Sequence, residues 1–186
     1  MPIQFVEPSP AVLNTYQHSM LDFCGPRDPA TKLYHLPVGT IDLATLAKGA
    51  TLDDIGQSGC RFYAAWPDGT ATSCEMTDPT SYGLAEFRNL AQGEAPAAAL
   101  ARIAEAEGLA RVQAGSYALH FLSIPGIYLE ALHLVNQGEG GDLILPLVSG
   151  YSQIPTDAVM DAGAFFVAAC AIATARLAQP TSPLSS

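Results

Sequence analysis

CRFYAAWPDGTATSCEM, residues 60–76, sets a turn signal between two alternating runs. Pro67, Asp68 and Gly69 suit a type I turn followed by a left-handed glycine, a three-residue β-hairpin loop that places Trp66 opposite Thr70. That register pairs Arg61 with Glu75, Tyr63 with Ser73 and Ala65 with Ala71 on one face. Cys60, Phe62, Ala64, Trp66, Cys74 and Met76 gather on the other. A polar face with an ion pair and an apolar face are what a half-buried antiparallel hairpin requires. Cys60 and Cys74 share a face but lie diagonal to each other, poor geometry for a disulfide.

Downstream, SYALHFLSI (116–124) and IYLEALHLV (127–135) read as strands, and GEGGD (138–142) turns the chain into a third, LILPLVSG (143–150). Pro146 in that strand lacks a ladder donor and suggests a sheet edge. Upstream, Ser9 caps a first helix with Pro10 at its first position, and Gly25 with Pro26 stops it. IDLATLAKG (41–49) and TLDDIGQSG (51–59) each read as a helical turn or two, Thr51 and Asp54 resembling a capping box. Residues 82–93 suit a short helix with Leu84, Phe87 and Leu90 inward, and a further helix opens at Pro96 and ends at Gly108. A final helix, 157–178, capped by Thr156, is apolar almost all round and so expected to be buried on several sides.

The expectation is a single α+β domain over 1–178: a mainly antiparallel sheet of about five strands with helices packed on it, the long buried C-terminal helix among them. QPTSPLSS supplies a disordered tail, 179–186. At 186 residues the chain buries a full core without staples, and its four scattered cysteines read as core thiols.

Hydrophobic residues make up 49% of the chain and charged residues 14%, with a net charge of −10. Such a field repels phosphate backbones and anionic membranes. The longest apolar stretch, 162–175, falls short of the roughly 20 residues of a membrane span. Without a basic, apolar leader at its start the chain is expected to be cytoplasmic. No nucleophile elbow, His-Glu-x-x-His, phosphate-cradling or dinucleotide motif is present.

The candidate site residues are His120 and His133, two imidazoles in an apolar run, with Tyr128 beside them. A tight hairpin at Pro125-Gly126 would set Ile124 against Ile127, make the histidines diagonal neighbours at roughly 7 Å, and send Glu130 to the opposite face with Tyr128. Zinc would require a third ligand, from His18 or Asp22. Without a metal-spacing motif, imidazoles bonded to backbone or water are the simpler reading, and no metal or cofactor is expected. Read as a helix instead, Glu130 and His133 have the spacing of di-iron bundles, which need a second copy. Cys60 beside Arg61 is directed to the opposite face and lacks a base. Asp53 and Asp54 suit helix-start anions, Glu105 and Glu107 a solvated helix face, and Trp66 either a binding anchor or a lid on the core.

High apolarity without a catalytic constellation points to a non-catalytic protein-interaction or assembly module, working with a protein partner or as a homodimer. The alternative is a small-ligand-binding or metal-binding enzyme with a pocket near His120 and His133.

Overall fold

A computed structural model describes residues 2–79 and 83–179. The hairpin forms in the expected register: β3 (Gly56–Ala65) and β4 (Ala71–Thr77) pair Arg61 with Glu75, Tyr63 with Ser73 and Ala65 with Ala71. Trp66 donates its backbone N–H to the Thr70 carbonyl, and the Asp68 carboxylate accepts from the Thr70 amide and hydroxyl.

The sheet is larger than expected, nine strands among the described residues in place of about five. β1 (Ile3–Gln4), β2 (Lys32–Thr40), β5 (Phe87–Gln92), β6 (Tyr117–Ile124), β7 (Leu129–Asn136), β8 (Leu143–Val148) and β9 (Met160–Asp161) join the hairpin in the order β5-β4-β3-β2-β6-β7-β8-β9, with β1 beside β6. β6 pairs in parallel with β1 and β2; every other pairing is antiparallel. β2 escapes notice in the sequence because Pro37 and Gly39 punctuate it. Its β6-facing edge is paired only from Val38 to Thr40, which leaves an open stretch where a proline is tolerated.

Residues 82–93 do not form the expected helix; Tyr82 itself lies outside the described residues. Phe87–Gln92 pairs along β4 as β5, and Leu84, expected inward, is exposed. So short a helix gains little from propensity, whereas the backbone groups of β4 need partners on this side.

Two helices share one face of the sheet. α1 (Pro10–Cys24), capped by Ser9 as expected, lays Val12, Tyr16 and Met20 on Cys60, Phe62, Cys74 and Met76. α5 (Ala162–Leu177) lays Phe165, Phe166, Ala169 and Ile172 on Leu122, Ile124, Ala131 and Ile144, with Leu46 of α2 (Leu43–Ala47) beside them. The Thr51–Asp54 capping box forms on a single 3-10 turn, Leu52–Asp54. α3 (Glu94–Gly108), followed by the short α4 (Ala110–Gln113), covers the opposite face, packing Ala99, Ile103 and Ala106 over Leu36, Val38, Tyr63 and Phe121. The hairpin's polar face is therefore buried too.

The C-terminal helix departs from expectation in two ways. It starts at Ala162, with Asp161 at the N-cap position but its carboxylate turned to Arg111, because the chain turns at 156–157 and Met160–Asp161 first pair with β8. It is also buried along one side only. Gly163, Ala164, Val167, Ala171 and Ala175 are exposed, Val167 to 74%. The tail from residue 180 lies outside the described residues.

Candidate functional site

β6 and β7 bring the two expected histidines together. The chain turns through Pro125–Ile127 as a 3-10 turn with Tyr128 in the left-handed region at φ 51°. Ile124 therefore faces Leu129, and His120 stands directly across from His133 rather than diagonal to it, ring centroids 6.2 Å apart. His133 is buried, its Nε2 2.7 Å from Oδ2 of Asp142, while Oδ1 of Asp142 accepts from the Asn136 amide. One carboxylate thus ties both ends of the β7–β8 turn and fixes the imidazole. Burial lowers the pKa of His133 against the raising effect of Asp142, and burial followed by the charge of His133 lowers that of His120.

Tyr128 is remote from this pair in chemistry. Its ring, 72% exposed, carries the Arg176 guanidinium of α5 at 5.1 Å. His18 bonds the Asn14 carbonyl of its own helix. Among the described residues no three His, Cys, Asp or Glu side chains are gathered to hold a metal ion.

The densest buried charge lies on the other face, under α3. Arg61, 9% exposed, donates from Nε (3.0 Å) and Nη2 (2.5 Å) to Oε2 of Glu75, itself 7% exposed. Its Nη1 reaches Glu130 on β7 at 3.3 Å, and its guanidinium lies 3.8 Å from the centroid of the Phe121 ring, a cation–π contact. Arg88 supports Glu75 from the outside at 3.3 Å. Glu130 does fall on the face opposite the histidines, as expected, and that face holds this cluster. Burial raises the Tyr63 phenol to about 12, against the lowering effect of Arg61.

The cluster floors a cavity of about 610 Å³ between the first turns of α3 and the sheet, with Leu90, Ala95, Ala99 and Leu147 among its apolar walls. Arg102 of α3 lines the far side. Its Nη1 pairs with Glu105, its Nη2 donates to the Ala158 carbonyl at 2.7 Å, and its buried Nε has no partner among the described residues. An orphaned buried donor costs about 1–3 kcal/mol. Glu105, expected as part of a solvated helix face, is half-exposed and lines the same cavity, as does Thr156.

Sequence reasoning found the Arg61–Glu75 pair but not its burial, and noticed Glu130 without its partner. The available signal was the occurrence of three charges within otherwise apolar strands of a chain only 14% charged. A second surface feature is an open apolar groove of about 680 Å³ beside α5, lined by Ala50, Leu52, Phe166, Val167 and Cys170. Comparison with protein-family models, curated proteins and solved structures matches nothing. The functional reading rests on geometry alone.

Proposed function

We propose that the protein is a non-catalytic interaction module that associates with a second copy of itself through the outer face of α5. The observation that carries this reading is that face: Gly163, Ala164, Val167, Ala171 and Ala175 line up at helical spacing in solvent, and residues 162–175 contain no charge. A helix apolar on all sides is stable in water when it is covered on all sides. Small residues also let two helix axes approach to about 8 Å. The groove beside Val167 offers a recess for partner side chains and extends the apolar surface toward Leu52. A two-fold axis through α5 would bring the same patch from both copies into contact.

Binding rather than turnover is supported by how the reactive groups are occupied. His133 is held by Asp142, and burial raises the thiols of Cys60 and Cys74 to about 12. The test is a charge placed on the exposed face. Ala171→Glu and Val167→Glu, both at solvent-exposed positions, should leave the fold intact and give a monomer by light scattering where the unaltered chain gives a dimer. If both variants keep the parent's mass as a dimer, the interface lies elsewhere.

A further inference from the structure

We propose that His120 and His133 bind one divalent transition-metal ion of the nickel, copper and zinc class, a nitrogen of each imidazole serving as ligand and water filling the other positions. The two residues stand directly across from each other on β6 and β7, with ring centroids 6.2 Å apart. An ion about 2.0–2.1 Å from a nitrogen of each ring holds the centroids between about 4.5 Å, for a right angle at the metal, and about 6.3 Å, for a straight line. The observed separation falls inside that range, so one ion can join both rings after small side-chain rotations.

His133 is held in the form a ligand needs. A carboxylate only accepts, so the 2.7 Å contact of Nε2 with Asp142 places the proton of the neutral ring on Nε2 and leaves the Nδ1 lone pair available. Asp142 is itself fixed by the Asn136 amide. Metal-ligating histidines are held in this way, by an anchored carboxylate on the second nitrogen, which also raises the basicity of the first. Neither Nδ1 of His133 nor either nitrogen of His120 has a hydrogen-bond partner among the described residues. Arg102 Nε is the one side-chain nitrogen there that is both sealed from water and unpartnered, so the free nitrogens of the pair keep surface that an ion can reach. Half-buried His120 has no hydrogen bond to break in turning toward it. Pinning the β7–β8 turn accounts for Nε2 of His133. It accounts for neither Nδ1 nor His120.

The donor type selects the ion. Magnesium and calcium take oxygen ligands, whereas nickel, copper and zinc suit imidazole. Because no third His, Cys, Asp or Glu side chain joins the pair among the described residues, the site is weaker than a structural zinc centre and exchanges its ion readily.

The test is an amide-resolved NMR titration of the full chain with nickel(II) chloride in a non-coordinating buffer near neutral pH. Nickel(II) is paramagnetic and, unlike copper(II), leaves the chain's four cysteines unoxidised. It should broaden the amides of Leu119–Phe121 and Leu132–Leu134 before any others, saturating at one ion per chain with a Kd of about 10–100 µM. His120→Asn should weaken binding about tenfold or more in a chain that still unfolds cooperatively. His18→Asn, at an exposed position of α1, should leave it unchanged. Localisation of the broadening in the unaltered chain tests the site even if His120→Asn fails to fold. The proposal is overturned if about 1 mM nickel broadens none of these amides, or if the first signals to broaden surround His18, His35 or a cysteine. It is equally overturned if His120→Asn binds as tightly as the parent or His18→Asn removes the binding.

Discussion

Arg61 is buried with two carboxylates and an aromatic ring around it, and that placement makes its energetics one-sided. Taking a guanidinium out of water is costly, and the pair with Glu75 only recovers the cost, so deleting one partner strands the other. Arg61→Ala is expected to lose about 3–5 kcal/mol in urea denaturation. The double variant Arg61→Met/Glu75→Met should lose clearly less than the two single changes added together; additivity would show that the pair is not coupled. The histidines give a second residue-level expectation. Burial lowers His120 and His133 below 6.5, so in the window just below 6.5 the unfolded chain binds more protons than the folded one. Stability tied to them is fully present above 6.5 and is lost as the pH falls through the lowered values. The urea midpoint should drop between about pH 7.5 and about pH 5.5, and His120→Phe should shrink that drop. The variant isolates the imidazoles because acidification also relieves self-repulsion in a chain of net charge −10. An unchanged pH dependence in His120→Phe would contradict the assignment. Alternation shows which side chains share a face, and so the Arg61–Glu75 pair and the common face of His120 and His133 were legible in the sequence. What covers a face was not, because α3 is brought over Arg61 by the whole topology.

At the level of elements, the hairpin, α1 and α3 were readable because their turn and cap residues act locally: Pro67-Asp68-Gly69, Ser9-Pro10 and Gly108. β2 and β5 were not, since each is held by a neighbour distant in sequence rather than by its own pattern. The turn at Pro125 kept its location but not its length, and a two-residue change there moved His120 from diagonal to directly opposite His133. One glycine in the hairpin is held by backbone geometry. Gly59 has φ 155°, and a Cβ there would sit 2.0 Å from the Met76 carbonyl oxygen, a backbone atom. Gly59→Ala should therefore cost about 2 kcal/mol or more and should weaken hydrogen-exchange protection where β3 meets Thr77. A cost below about 0.5 kcal/mol would mean that the strands separate there without penalty.

For the whole molecule, the two faces of the sheet carry different chemistry. The α3 face buries charge around a cavity, while the opposite face is apolar apart from His120 and the His133–Asp142 pair and carries α5, whose outer surface is exposed in the single chain. The sequence exposed this contrast only in part. An all-round apolar helix was evident from residues 162–175, yet which side stays in solvent depends on Phe165, Phe166, Ala169 and Ile172 meeting the sheet. The most direct measurement is native mass spectrometry of the full chain at about 10 µM, sprayed from near-neutral volatile buffer. Association through α5 predicts a main species at twice the 19.5 kDa chain mass, returning to the single-chain mass in Ala171→Glu. A folded monomer as the sole species, unchanged by that substitution and by raising the concentration, would contradict the account.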